Sequence, residues 1–344
     1  MTPTMKAVLT MKAWRVAQHG APADVLQLAD VPVPQPGPGM VSIRGRAAAL
    51  NIPDDRLCRG TYQMKPELPF TPGMETAGVV EAVGADVDPE LVGRHVVAVA
   101  GPPFGSLAEV AVARATGLYD VPADLTDTDA AAMLIPFTTG HLALHRRGRL
   151  QPGETLLVHA GAGGVGSAAI QMGVMAGARV IATAGGPEKV ELCRQLGADL
   201  AIDYRALDSK ELIAAIKDAT GGRGVEVCYD SVGGEIFHVS RRVMAREGRL
   251  LVIGFASGDI AEAPTNHALM RSYDIVGVYF GSYAGPEDKG YREQMWTDIL
   301  AGFRNGQLTP VLDRIVPLTG DVPGALTDLA ERRTAGRVII DLTS

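Results

Sequence analysis

Thr155-Leu-Leu-Val-His-Ala-Gly161-Ala-Gly163-Gly164-Val-Gly166-Ser-Ala-Ala-Ile-Gln171 carries an apolar strand through closely spaced glycines straight into a helix. Glycines at this spacing allow a tight turn, let backbone approach a pyrophosphate, and let the helix pack on the strand. The helix N-terminus offers free N–H groups and partial positive charge. The spacing alone is weak, because ordinary turns also collect glycines; its context makes it informative. Short apolar runs at residues 179–183, 200–203, 225–230, 249–253 and 274–279 read as further strands. Helical stretches separate the earlier ones, one opened by Pro187 and closed at Gly197. Such alternation predicts a parallel sheet covered on both faces, and six strands complete a doubly wound dinucleotide fold.

Cofactor preference should be decided after the second of these strands, where an enzyme that uses NAD usually carries an acid for the ribose hydroxyls. Here the chain reads Ala184-Gly185-Gly186. The missing carboxylate leaves room for a 2′-phosphate, with Lys189, Tyr204 and Arg205 as partners, and favours NADPH. The competing reading makes Lys189 and Arg205 solvated surface charges, and Glu188 is an acidic exception nearby.

The chain has 344 residues, 47% hydrophobic, enough for two domains with buried cores. Its net charge of −7 argues against nucleic acid as the main partner. Cys58, Cys193 and Cys228 are scattered and suggest neither a disulfide framework nor a cysteine-rich metal site. A reducing cytoplasm is the expected location. No apolar stretch free of Gly and charge is long enough to span a bilayer, so no membrane association is expected. Residues 1–10 are read as a dispensable extension ahead of Met11-Lys-Ala-Trp.

The N-terminal part has short β-branched runs broken by Gly and Pro, the texture of a compact, mostly β domain. The expected division is a substrate domain over 1–122 and 285–344 and a nucleotide domain over 123–284. A helix is expected from about Arg292 to Asn305, and the last strand, 337–342, is expected to return to the first domain.

Five stretches together carry a resemblance that the glycine loop alone would not. They are Ala49-Leu-Asn51-Ile-Pro-Asp54; Gly60-Thr-Tyr62 with Leu68-Pro-Phe-Thr-Pro-Gly73; Gly78-Val-Val-Glu-Ala-Val-Gly84; the glycine loop; and Gly221-Gly-Arg-Gly-Val-Glu-Val-Cys-Tyr-Asp230. From Met11 onward the chain resembles the medium-chain dehydrogenase/reductases, and among them the zeta-crystallin-like quinone oxidoreductases. The resemblance implies an α/β protein with a GroES-like β-rich catalytic domain and a doubly wound Rossmann domain. It also implies NADPH, a homodimer, and hydride transfer to a quinone or α,β-unsaturated carbonyl compound. Related alcohol dehydrogenases hold zinc through Cys and His, but this chain has Asn51-Ile-Pro-Asp54 and Gly73-Met74-Glu75 at those places. Amide and thioether do not replace thiolate and imidazole around Zn²⁺, so no metal is expected. Without a Lewis acid, conjugated acceptors are favoured, because the charge left after hydride addition is delocalised. Two alternatives stay open: an enoyl-thioester (acyl-CoA) reductase of the same superfamily, and an NADPH-binding structural or RNA-binding regulatory protein.

By the same resemblance Tyr62 is the first choice for a substrate-facing donor, its alternative being packing within the loop. Asn51 and Asp54 match positions at the nicotinamide end, with turn capping as the competing role. Thr139 matches a nicotinamide-proximal threonine, or is a plain helix hydroxyl. Gly161, Gly163, Gly164, Val165 and Gly166 form the phosphate turn. Gly185, Lys189, Tyr204 and Arg205 form the expected 2′-phosphate site. Gly254, Phe255 and Ser257, and Gly281 and Tyr283, follow the fifth and sixth strands, where open α/β sheets bind ligands, or serve only as turn residues. His141, His145, His159 and His238 are assigned no chemistry, nor are Asp203 and Asp230.

Overall fold

A computed structural model describes residues 9–344. Most of the expected N-terminal extension, residues 1–8, lies outside the described residues. The chain divides into two compact units: the N-terminal part up to Leu134 together with Leu312–Ser344, and Ile135–Val311.

In the first unit, β1 (Thr10–Val16) and β2 (Leu26–Pro32) form an antiparallel pair. Strands β3 (Met40–Ala49), β4 (Glu75–Val83), β5 (His95–Ala100) and β6 (Val110–Asp120) follow in antiparallel order, and β6 pairs with both β5 and β3. The sheet therefore closes on itself and buries Val41, Ile43, Val80, Val96 and Ala98. Alternation in β1 sends Trp14 and Val16 into a second cluster with Leu50, Phe70 and Leu107. The Trp14 indole N–H donates to the Leu318 carbonyl, 2.9 Å away.

The second unit is the parallel sheet read from the sequence. It comprises β7 (Thr155–Val158), β8 (Arg179–Ala184), β9 (Leu200–Asp203), β10 (Val225–Asp230), β11 (Met244–Val252) and β12 (Asp274–Gly277), in the order β12-β11-β10-β7-β8-β9. Every pairing in it is parallel. Helices Gly164–Met175, Pro187–Gln195, Ser209–Ala219 and Gly234–Val243 alternate with the strands. Their starts follow local chemistry: Pro187 opens the second, and Asp208 accepts N–H bonds from Lys210 and Glu211 to open the third. β11 starts earlier than expected, at Met244, because the chain turns through Glu247 at positive φ while staying beside β10. β12 stops at Gly277, two residues short of the expected end.

The chain then returns to the first unit as β13 (Leu312–Pro317) and β14 (Arg337–Asp341), and β14 pairs antiparallel with β3. The division differs from the sequence expectation at both ends, since residues 123–134 belong to the first unit and residues 285–311 to the second. The reason is packing. Helix Lys289–Arg304 buries Met295, Trp296 and Ile299, and the Gln171 side chain exchanges two hydrogen bonds with the Thr309 backbone, at 2.7 and 3.0 Å. Arg292 adds bonds to the carbonyls of Tyr283 and Gly285.

Candidate functional site

The glycine loop leaves the end of β7 and enters helix Gly164–Met175, with Gly163 as the extended residue before the first turn. Two bonds hold the turn: Gly161 N–H donates to Thr183 O and Gly163 N–H to Ala160 O, both at 2.9 Å. Gly166 is where the helix meets the strand. A Cβ there would stand 2.1 Å from the Ala160 carbonyl oxygen and 2.9 Å from the Gly161 Cα, so only glycine permits this approach. The first-turn N–H groups of Gly164, Val165 and Gly166 have no carbonyl ahead of them in the helix, which is what an anion requires.

Gly185, Tyr204 and Arg205 come together beside this loop's neighbouring strand. A Cβ on Gly185 would lie 2.8 Å from the Tyr204 hydroxyl and 2.9 Å from Arg205 Nε. Tyr204 is half-buried against the unit's core, whereas the Arg205 side chain is exposed. Lys189 sits in the first turn of helix Pro187–Gln195, half-buried, and Glu188 beside it is exposed. Asp203, a strand-end acid assigned no chemistry from the sequence, accepts N–H bonds from Gly186 (3.0 Å) and Arg205 (2.9 Å), and these hold its carboxyl below the usual range.

The chain reverses its direction of strand addition at β7 and β10, the position where open parallel sheets form a ligand crevice at their C-terminal ends. Asp230 ends β10 and accepts from the N–H groups of Val232 and Gly233 and from the Ser240 hydroxyl. The loop holding Gly254, Phe255 and Ser257 is fastened to it by Ala256 N–H to Ser231 O and Ser257 N–H to Val232 O. Thr139 is half-buried in helix Asp127–His141. Gly281 is exposed. Tyr283 lies under the Arg146 guanidinium, 4.8 Å from its ring centre, and Tyr291 takes the other contact of that cation at 4.4 Å. Both aromatic rings are thus engaged within the unit.

In the first unit Asn51 and Asp54 join a buried polar network whose other members, Glu75 and Arg337, are far apart in sequence. Asn51 donates to Glu75 Oε1 at 2.9 Å and accepts from Arg337 at 2.9 Å, and Arg337 is ion-paired with Glu75. Glu75 and Asp54 have no exposed surface, and Arg337 is 7% exposed. Asp54, expected near a nicotinamide, has both carboxyl oxygens occupied by backbone N–H groups, those of Asn51 (2.8 Å) and Gly73 (3.0 Å). Burial pushes its carboxyl up to about 7, against the pull of those two N–H groups and of Arg337. It braces the start of helix Ile52–Arg59 and presents nothing to a substrate. Tyr62 follows that helix, half-buried against the cluster of Trp14, Leu57 and Phe70, with its N–H on Arg56 O.

Residues 37–123 match the alcohol dehydrogenase GroES-like domain family, and residues 164–297 match the zinc-binding dehydrogenase family. Quinone oxidoreductase-like protein 2 of Rattus norvegicus is 36% identical over 322 residues, 93% of this chain and 89% of the relative. The quinone oxidoreductase of Pseudomonas aeruginosa is 34% identical over 331 residues, 96% of this chain and 99% of the relative. The chain belongs to the quinone oxidoreductases of the medium-chain dehydrogenase/reductase superfamily. That is a family of oxidoreductases. Its solved structures include a mycobacterial protein complexed with NADPH, with a TM-score of 0.87 and 34% identity, covering 96% of this chain and 99% of that one. The Escherichia coli quinone oxidoreductase complexed with NADPH also reaches a TM-score of 0.87, at 27% identity, covering 97% and 100%.

The donors around Asn51 do not suit the zinc that the second matching family is named for. Among the described residues no group of three or more His, Cys, Asp or Glu could hold a metal ion. Asn51 and Glu75 are already taken by a guanidinium, and a dication would compete with Arg337 for the same oxygens.

Proposed function

We propose that the protein is a zinc-independent, NADPH-dependent oxidoreductase that reduces quinones or α,β-unsaturated carbonyl compounds. The observation that carries this reading is the juxtaposition of Gly185, Tyr204 and Arg205. The place where a ribose-binding acid would stand is a glycine pressed against a phenol and a guanidinium, suited to a 2′-phosphate. When bound, NADPH supplies the hydride. The chain's part is to hold and orient. The first-turn N–H groups after Gly163 take the pyrophosphate, Lys189, Tyr204 and Arg205 take the 2′-phosphate, and the Gly254–Ser257 loop borders the sheet's ligand-binding edge. On the first unit, Tyr62 is proposed to donate a hydrogen bond to the acceptor's oxygen, and Asn51 is held in one orientation by Glu75 and Arg337.

Zinc independence is supported by the chemistry of the Asn51 network, in which the available oxygens already neutralise Arg337. A homodimer joined through β12 is supported by its free edge and by the exposed apolar residues around it: Leu269 (78%), Met270 (80%), Ile275 and Tyr279. Gel filtration giving a strict monomer would remove that part. No helix among the described residues is long and apolar enough to cross a membrane.

The test is NADPH oxidation followed at 340 nm with chelator present, against a quinone, an enone, an enoyl-CoA and a simple aldehyde. Turnover of the quinone or enone, indifferent to chelator, is expected. Turnover confined to the aldehyde and lost with chelator would overturn the reading.

A further inference from the structure

The clamp at Asp203 concerns cofactor choice and rests on the NADPH reading above. Asp203 is the last residue of β9 and pairs in register with Ala184, the last residue of β8. Its Oδ1 accepts from the backbone N–H of Gly186, on the turn that follows β8, and from that of Arg205, on the turn that follows β9. One oxygen thus ties together the two turns that would surround a 2′-phosphate. Gly186 sits at φ +94°, a conformation that a side chain would strain, and a Cβ on Gly185 would meet the movable tips of Tyr204 and Arg205, 2.8 and 2.9 Å away. The turn has no side chain of its own to fix it, so its position depends on backbone bonds.

We infer that Asp203 is the positioning residue of the 2′-phosphate pocket: its carboxylate locks the Gly185-Gly186 turn against Tyr204-Arg205 and so creates the preference for NADPH over NADH. Charge gives this inference a clear opposite. A carboxylate next to a phosphate dianion repels it, and a residue acting only through its charge would weaken NADPH binding. Asp203 favours it, because its charge is spent on two N–H groups and on the nearby Arg205 guanidinium. The two roles make opposite demands on the same substitution.

The experiment is calorimetric titration of NADPH and NADH into the wild type, Asp203→Ala and Asp203→Asn. Both cofactors are titrated into the same preparation, so a fraction of misfolded protein lowers the number of sites and leaves the ratio of affinities unchanged. Asp203→Ala frees both N–H groups and is expected to weaken NADPH about tenfold or more, the scale of one lost charge-assisted bond, with NADH within about twofold. Asp203→Asn keeps an acceptor oxygen at the same position and is expected to restore most of the preference. If Asp203→Ala keeps the wild-type ratio, the clamp is overturned while the NADPH reading stands. If Ala and Asn both bind NADPH more tightly than the wild type, the carboxylate acts as a repelling charge and the inference is overturned. A wild type with equal affinity for the two cofactors would overturn the reading and the inference together, and it would be seen before any variant is compared.

Discussion

Replacing Gly166 by alanine tests whether the helix must touch the strand for the phosphate turn to form. The added Cβ would stand 2.1 Å from the Ala160 carbonyl oxygen and 2.8 Å from its carbon, where ordinary contacts begin near 3.4 Å. Relief requires the start of helix Gly164–Met175 to withdraw by about 1.3 Å, and backbone cannot rotate out of the way as a side-chain tip can. Overpacking of this kind costs about 1–3 kcal/mol of stability. A displacement over 1 Å also takes the first-turn N–H groups out of hydrogen-bond range of a pyrophosphate. Losing one or two charge-assisted bonds, at about 1.5–3 kcal/mol each, predicts at least a tenfold loss of NADPH affinity and up to about 20,000-fold. Gly163→Ala is the control for the fold: its Cβ would be 3.3 Å from the Ala160 oxygen, and its extended backbone suits any residue. Urea melts and calorimetric NADPH titrations of both variants decide the matter. Gly166→Ala with wild-type stability and NADPH affinity within threefold of wild type would refute the reasoning.

Arg337→Met should destabilise the first unit by about 3–5 kcal/mol, because it takes from the buried Glu75 the guanidinium it is ion-paired with. In urea melts the double variant with Glu75→Gln should recover most of that loss, and no recovery would mean that the two side chains are not coupled. His141, buried beside His145, has its pKa lowered to about 4 by burial first and by its neighbour second, with Asp298 pulling the other way. An imidazole of ordinary pKa in the unfolded chain then takes up a proton that the folded one refuses. Stability is therefore full above about pH 6.5 and falls as the pH drops toward 4, by about 3 kcal/mol from this residue. Comparison of melts of wild type and His141→Gln across that window should show a smaller acid loss in the variant; parallel curves would count against a buried neutral imidazole. Tyr62→Phe should lower turnover of an enone about tenfold or more with NADPH affinity unchanged, as expected for a lost oxyanion donor. Unchanged turnover would leave Tyr62 as packing for the Trp14 cluster.

The second unit could be read almost completely from the sequence because its signals are local. Apolar runs, proline at helix starts and glycine after helix ends recur at short range, and the parallel order follows from their alternation. The boundary at residues 285–311 could not be read in the same way. What binds that segment to the second unit is Gln171 meeting Thr309, 138 positions away, and a half-apolar helix whose partner no local pattern names. The reach of β11 back to Met244 was hidden for a related reason. Gly248 resembles a helix stop, whereas the β10 ladder already holds the chain four residues earlier.

The candidate site divides along the same line. Glycines announce a phosphate turn because backbone sterics make them hard to replace, and the absent acid after β8 is informative because charge repulsion is simple. The Asn51 network gave no such signal. Asn51, Glu75 and Arg337 come from β3's exit, β4 and β14, and nothing local in the sequence joins them into one cluster. Only the pairing of β14 with β3 carries Arg337 into the interior, and burial then dictates the rest. A guanidinium taken from water requires an anion and hydrogen-bond acceptors, and it finds them in Glu75 and in the Asn51 carbonyl. Those are oxygens that a cation at this place would otherwise use. The departure from a zinc-binding pattern at Asn51 and Met74 is therefore more than a loss of ligands: Arg337 supplies the positive charge that the surrounding acids require.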